Sequence, residues 1–306
     1  MNQALCVIGM HRSGTSLVAG ILKSVGIYLG KESRLLPASA DNLKGYWEHI
    51  TFLEINEGIL RTLGGSWQYP PRLRATWLDS PTARQLAERA ARYISVEFAD
   101  RGLWAWKEPR TTLMIPFWNL VVPDAKYVLC VRNPLDVASS LRARDGITME
   151  HALILWHIYT LTALRDTEAN SRFIAAYERI LADPTHALPS LFDFAGMADS
   201  PTSEQWRTVE LYIDANLSHG QHSLQNTIDH PQLPRDVKQL YIALMTDDEA
   251  TIHAAVCKSE ATLTRLYTSL RVARLKRRIS RIPSYVQALA MSPPMIKTVR
   301  SEHVGK

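Results

Sequence analysis

The sequence predicts an α/β fold in three layers, a central parallel sheet flanked by helices. Three observations point there. Short apolar runs stop at glycine or proline, two of them lead straight into amphipathic helices, and strand-like and helix-like patterns alternate along the chain. With 306 residues, 46% of them hydrophobic and 21% charged, the chain has material for one substantial core.

The elements follow in order. "ALCVIG" (4–9) is short, apolar and closed by glycine, as a buried strand is. "TSLVAGILKSVG" (15–26) then sets Leu17, Ile21, Leu22 and Val25 at helical spacing, ended by Gly26. Residues 80–100 read as a helix, and "GLWAWKEP" (102–109) as a strand stopped by Pro109. "AKYVLCV" (125–131) reads as a third strand, and "RNPLDVASSLRAR" (132–144) as a turn and a helix with Leu135, Ala138 and Leu141 inward. A long apolar helix spans "MEHALILWHIYTLTALRDTEAN" (149–170), and "RFIAAY" (172–177) makes a fourth strand. Residues 196–260 are helical in composition without readable boundaries. "RLYTSLRVARLKRRISRIP" (265–283) closes the series as an amphipathic helix, with Leu263, Leu266, Leu270 and Ala273 on one side and arginines over much of the rest. The expected division is a domain over 1–270 and a basic tail over 271–306.

The net charge of +5 resides in that tail: residues 261–300 hold nine Lys/Arg and no Asp/Glu, so the rest of the chain is net acidic. A nucleic-acid-binding body would carry its positive charge on the folded surface, so no nucleic-acid partner is expected. The tail helix suits either a solvated helix closing the domain or contact with an anionic membrane surface or polyanion. Cys6, Cys130 and Cys257 are odd in number and far apart. Two of them lie in buried strands, which fits a reducing, cytoplasmic setting. No run reaches the roughly 18 apolar residues of a membrane-spanning helix, and the first apolar run lacks the basic leader of a secretory signal.

"GMHRSGTS" (9–16) nearly spells a P-loop, G-x-x-x-x-G-K-[ST], with Gly9, Gly14 and Ser16 in place but Thr15 where the lysine belongs. A glycine-rich turn from strand into helix aims backbone N–H groups at one anion, where the helix dipole also favours negative charge. Ser13, Thr15 and Ser16 add hydroxyls, His11 lies in the same loop, and Arg12 supplies the positive charge. This suits a donor less charged than ATP, since triphosphate chemistry needs the missing lysine. The plainer alternative is a strand-to-helix turn with a surface arginine.

Arg132 stands where the third strand ends, at the edge where open α/β sheets bind ligands. Asn133 and Pro134 make a helix start, with Asp136 favourable to its dipole. Ser140 follows eight residues after Arg132, so an arginine and a hydroxyl can face a second phosphate. The alternative here is an arginine paired with an acid and a serine in a helix contact.

Together "HRSGTS" and "RNPLDVASSL" resemble the 5′-phosphosulfate loop and the 3′-phosphate motif of the PAPS-dependent sulfotransferases. "YERILADP" from Tyr177 is similar to a family segment whose tyrosine lies near the adenine. The resemblance covers roughly residues 4–185 and implies a P-loop-like sulfotransferase fold, PAPS (3′-phosphoadenosine 5′-phosphosulfate) as co-substrate, adenosine 3′,5′-bisphosphate as product, and no metal. It points to the bacterial, carbohydrate-modifying branch. Leu17 replaces the tryptophan that follows the loop in cytosolic members, and their late R-K-G and G-x-x-G-x-x-K elements are absent.

The resemblance implies donor contacts at His11, Arg12, Ser13, Gly14, Thr15, Ser16, Arg132, Ser140 and Tyr177. Arg12 is also expected to offset charge on the leaving phosphate. A base must take the acceptor proton, and Glu48 in "NLKGYWEHI" is the first choice, with Glu108 in "WKEPR" its rival and His49 third. Lys107 and Arg110 are candidates for lining the donor or acceptor site. His219 resembles a Leu-x-His element of bacterial relatives and is assigned no role. The expected function is sulfuryl transfer to a hydroxyl of a carbohydrate or glycolipid. The alternatives are a P-loop kinase and a non-catalytic nucleotide-binding scaffold at a membrane.

Overall fold

The structure is a computed structural model that describes residues 3–37, 45–214, 222–231 and 233–279. The first half of the chain runs β1 (Gln3–Gly9), α1 (Thr15–Ser24), α2 (Ile50–Thr62), α3 (Ala75–Leu78), α4 (Pro81–Glu97), β2 (Leu103–Lys107), α5 (Ile115–Val121) and β3 (Lys126–Val131). The second half holds α6 (Pro134–Asp145), α7 (Met149–Asp166), β4 (Arg172–Ala176), α8 (Tyr177–Ala182), α9 (Pro184–Ala195) and α10 (Ser203–Asp214). It ends with α11 (Leu224–Asp229), α12 (Arg235–Thr246), α13 (Glu249–Cys257) and α14 (Ser259–Ile279). All four strands expected from sequence are present, and they form one parallel sheet in the order β2-β1-β3-β4.

Successive residues of a strand face opposite sides, and this separates the two cores. Cys6 and Ile8 of β1 join Trp104 and Trp106 of β2 and Leu129 of β3 beneath α2, α5 and α7. Leu5 and Val7 join Ala105, Val128 and Cys130 beneath α1, α9 and α10. The sheet is therefore covered on both faces, which explains why its strands read as continuous apolar runs. Leu135, Ala138 and Leu141 of α6 are buried as their spacing requires.

Register places the functional loops. Gly9 pairs with Cys130 of β3 and Val7 with Lys107 of β2, so β1 ends between the two neighbours whose exits carry Arg132 and Glu108. At the other end of the chain, Leu263, Leu266 and Leu270 of α14 are core residues, while Ala273 is exposed, against expectation. The helix runs on past residue 270 to Ile279, although its last buried residue is Leu270 and residues 271–275 are exposed. Residues 280–306 of the tail lie outside the described residues.

Candidate active site

The loop after β1 is built by backbone that only certain residues tolerate. Gly9 has φ +140°, and a Cβ there would meet the Cys130 carbonyl oxygen at 2.5 Å. Arg12 (φ 71°) and Gly14 (φ 88°) are also left-handed, and Ser13 N–H donates to the Met10 carbonyl at 3.1 Å. This folds the loop into a concave turn, and no side chain caps α1, so its first amides are presented at the loop's mouth. A Cβ on Gly14 would come within 2.5 Å of the Tyr177 ring, so that ring sets how closely the loop can pack on β4. Ser13 and Thr15 are buried in the turn, and the half-buried Ser16 hydroxyl donates to the Tyr46 carbonyl at 3.3 Å.

The second motif meets the first directly. Arg12 Nε donates to Ser140 Oγ at 2.8 Å across 128 residues of sequence. Arg132 donates to the Arg12 carbonyl at 3.2 Å, and its guanidinium lies 4.5 Å from the centre of the Tyr177 ring. Trp156 from α7 fixes the Arg132 carbonyl at 3.0 Å. Asn133 caps α6 as expected, accepting from Leu135 N–H at 3.0 Å, with Pro134 in the first turn. The backbone N–H of Asn133 donates to Glu178 at 2.7 Å, and burial pushes the Glu178 carboxyl upward. Tyr177 is only 6% exposed, so it acts here as a wedge between loop and arginine.

The β2 side of β1 has a different chemistry. Glu48 lies in extended backbone beside Lys107 and receives its ammonium at 2.7 Å, with Arg110 3.9 Å from the other oxygen. Glu108 is fully buried with both oxygens engaged, by Arg110 at 2.5 Å and by Asn56 at 2.5 Å. Burial raises its pKa, against the pull of Arg110. His49 is buried as the N-cap of α2: its Nδ1 accepts from Thr51 N–H at 3.2 Å and its Nε2 lies 2.8 Å from the Tyr93 hydroxyl. Desolvation lowers its pKa to about 4. Of these three candidates, Glu48 alone keeps a carboxylate oxygen without a close hydrogen-bond donor, and both rivals are committed to structure. Thr112, in the turn after β2, exchanges hydrogen bonds with Gly9, which ties this cluster to the loop.

Sequence reasoning missed the wall between these groups. His11 turns its ring 4.4 Å from Trp67 and 6.1 Å from Tyr159, and its buried Nε2 has no hydrogen-bond partner. Burial holds its pKa well below the ordinary value, helped by Arg110, Arg144, Lys107 and Arg12. Arg144 also lies 5.8 Å from the Trp67 ring. Trp67 sits in "GGSWQYPP", a turn-rich stretch whose aromatic content was the available signal. His219 lies outside the described residues.

The profile described as "Sulfotransferase family" matches residues 4–201. No curated protein matches the chain. Among solved structures, a sulfotransferase from Mycobacterium avium is 19% identical over 81% of this chain and 76% of its own, with a TM-score of 0.48. The sulfotransferase domain from the curacin biosynthetic pathway is 16% identical over 68% and 78%, with a TM-score of 0.43. The sulfotransferase domain of a Synechococcus olefin synthase is 17% identical over 83% and 94%, with a TM-score of 0.42.

Proposed function

The chain belongs to the sulfotransferase family, and from that membership and the site we propose that it is a PAPS-dependent enzyme that sulfates a hydroxyl of a carbohydrate or glycolipid. The observation that carries the reading is the hydrogen bond from Arg12 to Ser140. It joins the loop suited to a 5′-phosphosulfate and the motif suited to a 3′-phosphate into one site. Both partners are groups that hold oxyanions, and Arg132 lies beside them, so a doubly phosphorylated nucleoside fits the residues present.

When bound, PAPS supplies the sulfuryl group. Arg12 and the amides at the start of α1 offset charge on the departing phosphate. Glu48 accepts the proton of the acceptor hydroxyl, and Lys107 and Arg110 hold its carboxylate in place. Trp67, packed on His11, forms an apolar wall against which an acceptor ring is oriented. The buried thiols of Cys6 and Cys130 support a reducing, cytoplasmic setting.

Thermal melting with two ligands tests the donor. Adenosine 3′,5′-bisphosphate at 100 times its dissociation constant adds about 2.7 kcal/mol, and ATP with Mg²⁺ adds little. The reverse ranking favours a kinase. Transfer of labelled sulfate from PAPS to a glycan panel, lost in Glu48→Gln with bisphosphate binding retained, separates an enzyme from a scaffold. Full activity in that variant removes Glu48 from the mechanism.

A further inference from the structure

Beyond Trp67 lies a trough that the transfer chemistry leaves unused. Residues 63–75 and α14 face each other across two adjoining clefts of about 210 and 470 Å³, which share Arg72, Tyr267 and Arg271 in their walls. Arg274 lines the first cleft and Arg74 the second. Thr264, Thr268 and Arg271 recur at helical spacing, so the same face of α14 presents hydroxyls and guanidinium groups together.

The charge is strongly one-sided. Glu260 pairs with Arg72, and it also lies 3.7 Å from Arg165. Among the described residues, Arg74, Arg271 and Arg274 have no ion-pair partner. Arg274 instead donates to the Gly64 carbonyl at 3.0 Å and lies 5.6 Å from the Tyr69 ring. Of the four arginines that line the clefts, only Arg72 meets a carboxylate among the described residues, so positive charge is left for a bound anion to offset. Both clefts are recessed between residues 63–75 and α14, a shape that admits a chain and not the flat surface of a bilayer.

The trough also connects to the reaction site. Trp67, at 4.4 Å from His11, and Tyr69, in the wall of the first cleft, belong to one short segment. That segment is pinned to α7, where His151 Nε2 meets the Gln68 carbonyl at 2.8 Å and the His151 ring lies 4.9 Å from Tyr69.

We propose that this trough binds the anionic part of the acceptor, an oligosaccharide whose sulfate, phosphate or carboxylate groups pair with Arg74 and Arg271 while a free hydroxyl reaches the site beside Trp67 and His11. The trough as an anion site stands on its own geometry, and its link to transfer rests on the sulfotransferase reading.

The test uses the full chain with saturating adenosine 3′,5′-bisphosphate, which blocks the donor cradle. Fluorescence anisotropy follows labelled dextran sulfate oligomers, with neutral dextran of equal length as reference. Arg74→Gln/Arg271→Gln weakens dextran sulfate binding by about tenfold or more, the loss of a pair of charge-assisted contacts. Arg92→Gln/Arg207→Gln removes the same charge from exposed sites on α4 and α10 and leaves binding near wild type. Neutral dextran does not bind. An equal loss in both variants overturns the proposal, since net charge or the residues beyond 279 then hold the polymer. So does binding to phosphatidylserine vesicles without binding to dextran sulfate, the outcome of a membrane-docking surface. The bisphosphate melting shift, measured on the same samples, reports separately on the donor site and on folding of the variants.

Discussion

The two flanks of β1 solve opposite electrostatic problems with the same topology. Toward β3, Arg12 and Arg132 converge with Ser140, and one oxygen of the buried Glu178 accepts from the Asn133 backbone. Toward β2, Glu48 and Glu108 are buried with Lys107 and Arg110, so each charge already has an opposite partner. One flank, two guanidinium groups beside a hydroxyl, is the proposed anion receptacle. The other is an ion-pair cluster of Glu48, Glu57 and Glu108 with Lys107 and Arg110, held by its own contacts. On the proposed reading, donor binding and proton handling rest on separate strand exits, so each can be broken while the other persists.

Lys107→Met gives the largest expected effect on stability. Removing one partner of a buried ion pair leaves an uncompensated charge and costs about 3–5 kcal/mol, measurable by denaturant unfolding. Lys107→Met/Glu48→Gln recovers much of that loss. A small effect of the single substitution would mean the β2 flank is not balanced as the contacts indicate. Next in size, Arg132→Ala removes most of the roughly 2.7 kcal/mol that the bisphosphate adds at 100 times its dissociation constant, while Lys107→Met keeps that increment on its lower baseline. An equal loss in both variants would merge the two flanks into one site.

Gly14→Ala tests the receptacle's backbone. At φ +88°, and with Tyr177 in the way of any Cβ, it costs about 1–3 kcal/mol and weakens bisphosphate binding. Gly102→Ala, at a glycine with open space around it, stays near neutral.

A separate effect concerns pH on the β2 flank. The His49 pKa is lowered to about 4 in the folded chain, below its ordinary 6.5, so between these values the unfolded chain binds more protons. Its contribution to stability is therefore present above pH 6.5 and declines as pH falls toward about 4. His49→Asn, which can still cap α2, flattens this part of the melting profile. An unchanged slope assigns the acid sensitivity to other groups.

The β3 flank was legible in the sequence because its parts are local. Gly9, Arg12 and Gly14 lie in one loop, Arg132 and Ser140 in one turn and helix, and the strand runs leading to both are unambiguous. Each motif states its own geometry within ten residues. The β2 flank was only half legible. Glu48 was chosen for its place in the family's pattern, and its pairing with Lys107, 59 positions further on, depends on the chain running alongside β2. His49 was read as a third candidate base, and no local pattern marks it as the N-cap it is, since histidine is not a usual one.

Trp67 was missed for a related reason. Its place against His11 follows from how residues 63–75 fold over α7, which periodicity does not encode. The boundary expected at residue 270 falls where the buried face of Leu263, Leu266 and Leu270 ends, while the helical backbone continues to Ile279. Composition reports the solvent side of a helix and is silent on where its backbone ends.

The central claim is that the exits of β1 and β3 grip one nucleoside by two phosphates. Titration calorimetry with adenosine 3′,5′-bisphosphate and adenosine 5′-monophosphate, on wild type and on Arg132→Ala, tests it most directly. The account predicts that wild type binds the bisphosphate more tightly than the monophosphate, and that Arg132→Ala binds the two alike. Equal affinities in wild type, or a preference that survives the substitution, would contradict it.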